Sequence, residues 1–151
     1  MAQMNLSIAR DAEQLRRMKK HQQEGTCHFC PEGFKEHTAP IIKEGKYWFI
    51  TANDNPYPGT VHHYLIVSKR HITRETELSR EEWLEKLEML QWLENHLHPE
   101  GFSEFSRNGD LAHTHASLDH LHFHFLVGVK GENTGTEKIK VTLAYKKSPG
   151  V

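Results

Sequence analysis

Polar and apolar positions along the chain follow two periods. Residues 46–51 (KYWFIT), 62–68 (HHYLIVS) and 120–129 (HLHFHFLVGV) are short runs rich in aromatic and β-branched residues, which predict strands. Residues 102–106 predict a shorter strand, and IKVTLAY at 139–145 a last one after a Gly-rich turn. A helical period holds over 80–97. Ser79 and Glu82 have the spacing of a capping box, Trp83, Leu87, Leu90 and Leu97 form one stripe, and Pro99 and Gly101 end the pattern. That stripe is expected to face the core. Residues 5–24 predict a surface helix in which Ile8, Leu15 and Met18 are loosely spaced. Residues 25–37, with Gly25, Pro31 and Gly33, read as a turn-rich knuckle, and 53–59 and 107–117 as loops. There are no repeats and no low-complexity linker. The expected fold class is α+β, a mostly antiparallel sheet with packed helices. The expected division is a helical extension over 1–24 and a single domain over 25–151, with 146–151 as a loose tail.

Composition narrows this picture. The chain has 151 residues, 36% of them hydrophobic, enough for one core. With 19 basic and 20 acidic residues the net charge is −1, which argues against a nucleic-acid-binding module but not against a single nucleotide as ligand. No apolar run is long enough to span a bilayer, and the first twenty residues hold no stretch of signal-peptide type, so a cytoplasmic location is expected. Cys27 and Cys30 are the two cysteines. In a reducing compartment so close a pair reads as metal-binding or redox-active. A redox role needs a thiol at a helix N-terminus, and Pro31-Glu32-Gly33 does not read as a helix.

Histidine is the unusual residue: 13 occur, concentrated at 62–71 and 113–124. A strand alternates its side chains between two faces, so His120, His122 and His124 share one face while Leu121, Phe123 and Phe125 share the other. Such a face can be a polar exterior, a metal-binding strand or a site of phosphate chemistry, because imidazole ligates metals, attacks phosphorus and moves protons near neutral pH. Elsewhere the bland readings hold. Tyr47, Trp48 and Phe49 are expected to pack, Lys69 and Arg70 to be solvated, and His96 and His98 to suit a helix C-terminus.

The run His120-Leu121-His122-Phe123-His124-Phe125-Leu126 resembles the signature of the histidine-triad (HIT) family. The likeness extends to His63 and to Lys69-Arg70-His71, to the spacing of Asn55, Pro58 and His63, and to Cys27-His28-Phe29-Cys30, covering roughly 25–128. It implies a HIT-like fold and a nucleotide hydrolase or nucleotidyl transferase that works through a nucleotidyl-histidine intermediate. By that resemblance His122 is the nucleophile, with His120, His124 and Ser117 completing the catalytic set. Asn55, His63, Asn108, Ser117 and His124 are the implied nucleotide-binding residues. Cys27, Cys30, His71 and His120 are the implied ligands of a structural zinc, which suits a tetrahedral site of two thiolates and two imidazoles. The implied partners are a purine mononucleotide conjugate or a dinucleoside polyphosphate, and a second copy of the chain in a homodimer. In one place the sequence departs from the family pattern. His115-Ala116 stands where Gly-Gln usually precedes the serine, which leaves His113 or His115 as substitute donors. Ser68 also replaces a usual proline. A zinc-stabilised nucleotide-binding protein with little turnover is the alternative reading. A metal-dependent cupin-type barrel would need a nearby glutamate, and Phe125, Leu126, Val127 and Gly128 follow His124 instead.

Overall fold

The computed structural model describes residues 3–131 and 137–150. A turn of 3-10 helix at Leu6–Ile8 leads into α1 (Ala12–Glu24), which Asp11 caps through the Gln14 amide and Gly25 ends in a left-handed conformation. The knuckle contains a single helical turn, α2 (Pro31–Phe34), with Cys30 at its N-cap and proline at its first position. It is closely built. A Cβ on Gly33 would lie 2.0 Å from the carbonyl oxygen of Cys27, so only glycine fits there.

The sheet has five strands: β1 (Ile41–Glu44), β2 (Trp48–Ala52), β3 (Thr60–Ser68), β4 (Ser103–Ser106) and β5 (His122–Gly128). Their order is β1-β2-β3-β5-β4, every pair antiparallel. Helix α3 (Arg80–Leu97) carries the Ser79–Glu82 capping box in both directions, and the one-turn α4 (Leu111–Thr114) lies within the 107–117 loop. The architecture is the α+β arrangement that the sequence predicts. Strand β1 and the turn α4 are additions that four-residue patterns do not announce, and Pro31-Glu32-Gly33, expected to be non-helical, forms the turn α2 because Pro31 suits its first position.

The sheet buries both faces. On the side of α3, Trp48, Ile50, Ile66, Met89, Leu93, Leu121, Phe123 and Phe125 form one core. On the other, Met4, Met18, Cys27, Phe29, Phe49, Leu65, Val67 and Leu118 form a second, so residues of the N-terminal segment pack directly on the sheet.

Two expectations are corrected. The buried stripe of α3 is Glu82, Lys86, Met89 and Leu93, whereas Trp83 and Leu87 are exposed and Leu90 is half-buried. Polar residues can face inward because each has a partner: Glu82 pairs with Arg70 and Lys86 with Glu104. Residues 139–145 are no strand, since β1 and β4 are the sheet's edges and neither pairs with this segment. It runs instead across the histidine-bearing face, where Ile139 lies against Gly59 and Gly128. The Gly-rich turn expected before it falls on 132–136, outside the described residues.

Candidate active site

Alternation along β5 sends Phe123 and Phe125 to the α3 side and His122 and His124 to the opposite side, beneath α1. There they line a cavity of about 860 Å³, together with Phe29, Tyr57, Arg107 and residues 137–142. Asn55 and Ser117, expected in the site, line it too, and so does His115.

The hydrogen bonds settle the tautomers. His122 Nδ1 lies 2.6 Å from the carbonyl oxygen of His120. A carbonyl only accepts, so the proton is on Nδ1 and Nε2 keeps a free lone pair. Burial holds the His122 imidazole down to about 4, against the smaller opposing effect of that hydrogen bond, so the ring is neutral at pH 7. Phe29 meets the His122 ring edge-on, with centroids 5.0 Å apart.

His63 does not line the cavity; it sits buried behind His124. The backbone amide of Tyr57 donates to its Nδ1 at 3.0 Å. A backbone amide can only donate, so the neutral ring carries its proton on Nε2, which lies 2.9 Å from His124 Nδ1 and 3.1 Å from the side-chain amide of Asn53. His124 is thereby left with N–H at Nε2. Burial keeps both rings neutral, pushing His63 down to about 3 and His124 well below its ordinary value, and Arg107 adds to the effect on each. The His124 ring lies nearly parallel to those of Phe105, at 4.6 Å, and Tyr57, at 5.8 Å, and these two are 6.5 Å from each other.

His120 precedes the strand and belongs to a second centre. Its Nε2 donates to the carbonyl of Ser68 at 2.6 Å, so Nδ1 presents a lone pair. That nitrogen lies 3.3 Å from Cys27 Sγ, 3.7 Å from Cys30 Sγ and 3.2 Å from His71 Nδ1. The four donor atoms lie within 4.8 Å of one another. This donor set fits a tetrahedral metal ion. The Asp119 carboxylate oxygen, buried and unpartnered, lies 3.8 Å from His71 Nε2, where a metal's outer carboxylate usually sits. Burial pushes the Cys27 thiol up to about 12.

Asn108 is placed away from the cavity. Its side chain accepts from the Glu75 amide at 2.6 Å and donates to Glu75 and Ser106. The cavity residue of that loop is its neighbour Arg107, two positions after Phe105 and therefore on the same side of β4. The alternation from Phe105 was the signal for it. His113 does not line the cavity, whereas His115 Nδ1 is buried and without a partner.

A second histidine series lines the cavity wall and was not singled out by the sequence. Thr26 Oγ1 contacts His21 Nδ1 at 2.7 Å, His21 Nε2 contacts His28 Nδ1 at 3.2 Å, and His28 Nε2 contacts His37 Nδ1 at 3.2 Å. His37 Nε2 donates to the carbonyl of Ala52 at 3.0 Å. One proton per ring satisfies the whole series. Asp54 stands beside it, saturated by Arg17 and by the amides of Thr38 and Ala39.

A buried neutral imidazole with a free Nε2, a second imidazole turned outward as a donor and a metal-type cluster at the strand's start define a histidine-triad protein. The comparisons agree. The family model described as "Scavenger mRNA decapping enzyme C-term binding" matches residues 26–139. The chain belongs to the histidine-triad family. No curated protein matches it. Among solved structures it is similar to a histidine triad nucleotide-binding protein from Candida albicans (22% identity, TM-score 0.56, covering 74% of this chain and 87% of that one). It is also similar to a HIT family hydrolase from Clostridium thermocellum (23%, 0.55, 74% and 95%) and a zinc-bound histidine triad family protein from Mycobacterium smegmatis (19%, 0.54, 83% and 84%).

Proposed function

We propose that the chain is a nucleotide hydrolase or nucleotidyl transferase with His122 as nucleophile. The observation that carries this reading is the Nδ1–H bond from His122 to the His120 carbonyl, which leaves a neutral Nε2 as the attacking atom on the cavity wall. Nε2 forms a bond to the α-phosphorus while the bond from phosphorus to the leaving group breaks, and the leaving group departs with the electron pair. Water or phosphate then displaces the histidine and releases the nucleotide. His124 Nε2–H donates to a phosphate oxygen as charge builds there. Asn55 and Ser117 line the same cavity, where they serve the ribose and the phosphate; Asn108 and His63 support the wall from behind. The substrate class is a mononucleotide conjugate or a polyphosphate-bridged dinucleotide, and an mRNA cap, a polyphosphate-bridged dinucleotide, falls within it, in keeping with the mRNA decapping enzyme in the family model's description.

Zinc is the metal proposed for Cys27, Cys30, His71 and His120. All four positions would be filled by protein, so its role is structural, and it would fix the turn that leads into β5. A homodimer formed through the exposed Trp83, Leu84 and Leu87 of α3 completes the reading, in a cytoplasmic setting.

The test is turnover of a panel comprising an AMP-amine conjugate, AMP-sulfate, ADP-glucose, diadenosine tetraphosphate and a cap dinucleotide, by wild type and His122→Ala. Release of a nucleotide by wild type alone supports the reading, and the best substrate names the branch. No turnover by wild type, with nucleotide binding intact, assigns the chain to a binding role and points to His115-Ala116, in place of Gly-Gln, as the cause.

A further inference from the structure

Arg107 lines the cavity beside His124. Its Nη1 is 3.4 Å from His124 Nε2, and both Nη atoms are 3.4 Å from the Tyr57 hydroxyl. Nη2 donates to the carbonyl of Thr142 at 2.7 Å, and the guanidinium lies over the Phe105 ring at 5.0 Å. Its Nε is buried with no partner.

The donor inventory makes this arrangement informative. The Tyr57 amide fixes the tautomer of His63, and His63 fixes that of His124, so His124 Nε2 carries a hydrogen. Arginine has only donors. Two donors 3.4 Å apart cannot satisfy each other. What satisfies both is an acceptor that lies in the cavity beside the pair and bridges the two nitrogens, and a guanidinium beside an N–H is a strong site for a phosphate oxygen. The same loop carries His115-Ala116 where the family pattern has Gly-Gln, and Arg107 brings a cation to the cavity wall.

We infer that Arg107 is a catalytic residue that grips a non-bridging oxygen of the phosphate attacked by His122, sharing it with His124 Nε2–H. The inference rests on the proposed nucleotidyl transfer. As the bond from Nε2 to phosphorus forms and the bond to the leaving group breaks, charge accumulates on the non-bridging oxygens, and the guanidinium neutralises it. Because that charge is greatest in the transition state, loss of Arg107 affects kcat more than KM.

The experiment is steady-state kinetics of wild type, Arg107→Ala, Arg107→Lys and Arg107→Gln on the best panel substrate, with His122→Ala as the reference for absent chemistry. Arg107→Ala is expected to lower kcat by about 10²–10³-fold, the usual effect of losing one transition-state donor. Arg107→Lys should recover part of it, and added guanidinium ion should partly rescue Arg107→Ala but not His122→Ala. Arg107→Gln keeps a neutral donor for the Thr142 carbonyl but no cation, and so separates anchoring of the 137–142 segment from charge neutralisation; it should fold like wild type and lose more than about threefold in kcat. If Arg107→Gln folds and turns over within about threefold of wild type, Arg107 only anchors that segment and the inference fails. If His122→Ala is as active as wild type, the proposed nucleotidyl transfer itself fails.

Discussion

The tautomer of one ring decides what the next can do. His63 reaches no substrate, but it holds His124 with its proton outward, which makes it a positioning residue. His63→Gln should cut turnover by roughly ten- to a hundredfold, the usual cost of losing such a partner, with little change in KM. The same ring reports on pH. It stays neutral in the fold down to about 3, against 6.5 in the unfolded chain. Between these values unfolding takes up a proton, so the stability is fully present above pH 6.5 and falls by about 1.4 kcal/mol per pH unit below it. Denaturant midpoints measured from pH 6.5 to 4.5 should fall less steeply for His63→Gln than for wild type, by one proton's worth. Equal slopes would show that His63 is charged in the fold.

Among the elements, the knuckle and α3 carry the tightest constraints. Gly33→Ala places a Cβ on the Cys27 carbonyl, and backbone must move to admit it. The expected cost is about 1–3 kcal/mol, with weaker metal retention, measured by thermal unfolding and metal analysis of the purified variant. In α3, Glu82 accepts from the Ser79 amide at 2.7 Å and pairs with Arg70 while buried. Ser79→Ala should cost about 1 kcal/mol, the usual value of a lost cap, and Glu82→Ala more, because it removes the reciprocal cap together with the pair to the half-exposed Arg70. The capping box was legible because it is local. The inward direction of Glu82 and Lys86 was not, because it depends on Arg70 and on Glu104, which are remote in sequence.

Across the whole molecule, the Cys27–Cys30–His71–His120 cluster joins the knuckle, the end of β3 and the start of β5. Chelation should loosen all three at once. A loss of about 2 kcal/mol would lower the melting point of a domain this size by about 4–8 °C, and an unchanged melting point after metal removal would exclude a structural ion. The exposed apolar face of α3 makes a second prediction at this scale: Trp83→Glu with Leu87→Glu should yield a monomer by sedimentation while leaving the fold intact.

The sequence by itself determined the elements whose signals are local: the period-2 histidine strand, the capped helix, the cysteine pair and the α+β class. The resemblance to the family motif added an expected division of roles among His120, His122 and His124. Only the tertiary structure decided the rest. It divided the three histidines between two centres, replaced Asn108 by Arg107 at the cavity and laid 137–142 over the site instead of adding it to the sheet. The reason is physical. Periodicity reports which side of its own element a residue faces, whereas a tautomer, a buried ion pair or a shared anion site is set by groups far away in the chain that only folding brings within hydrogen-bonding distance.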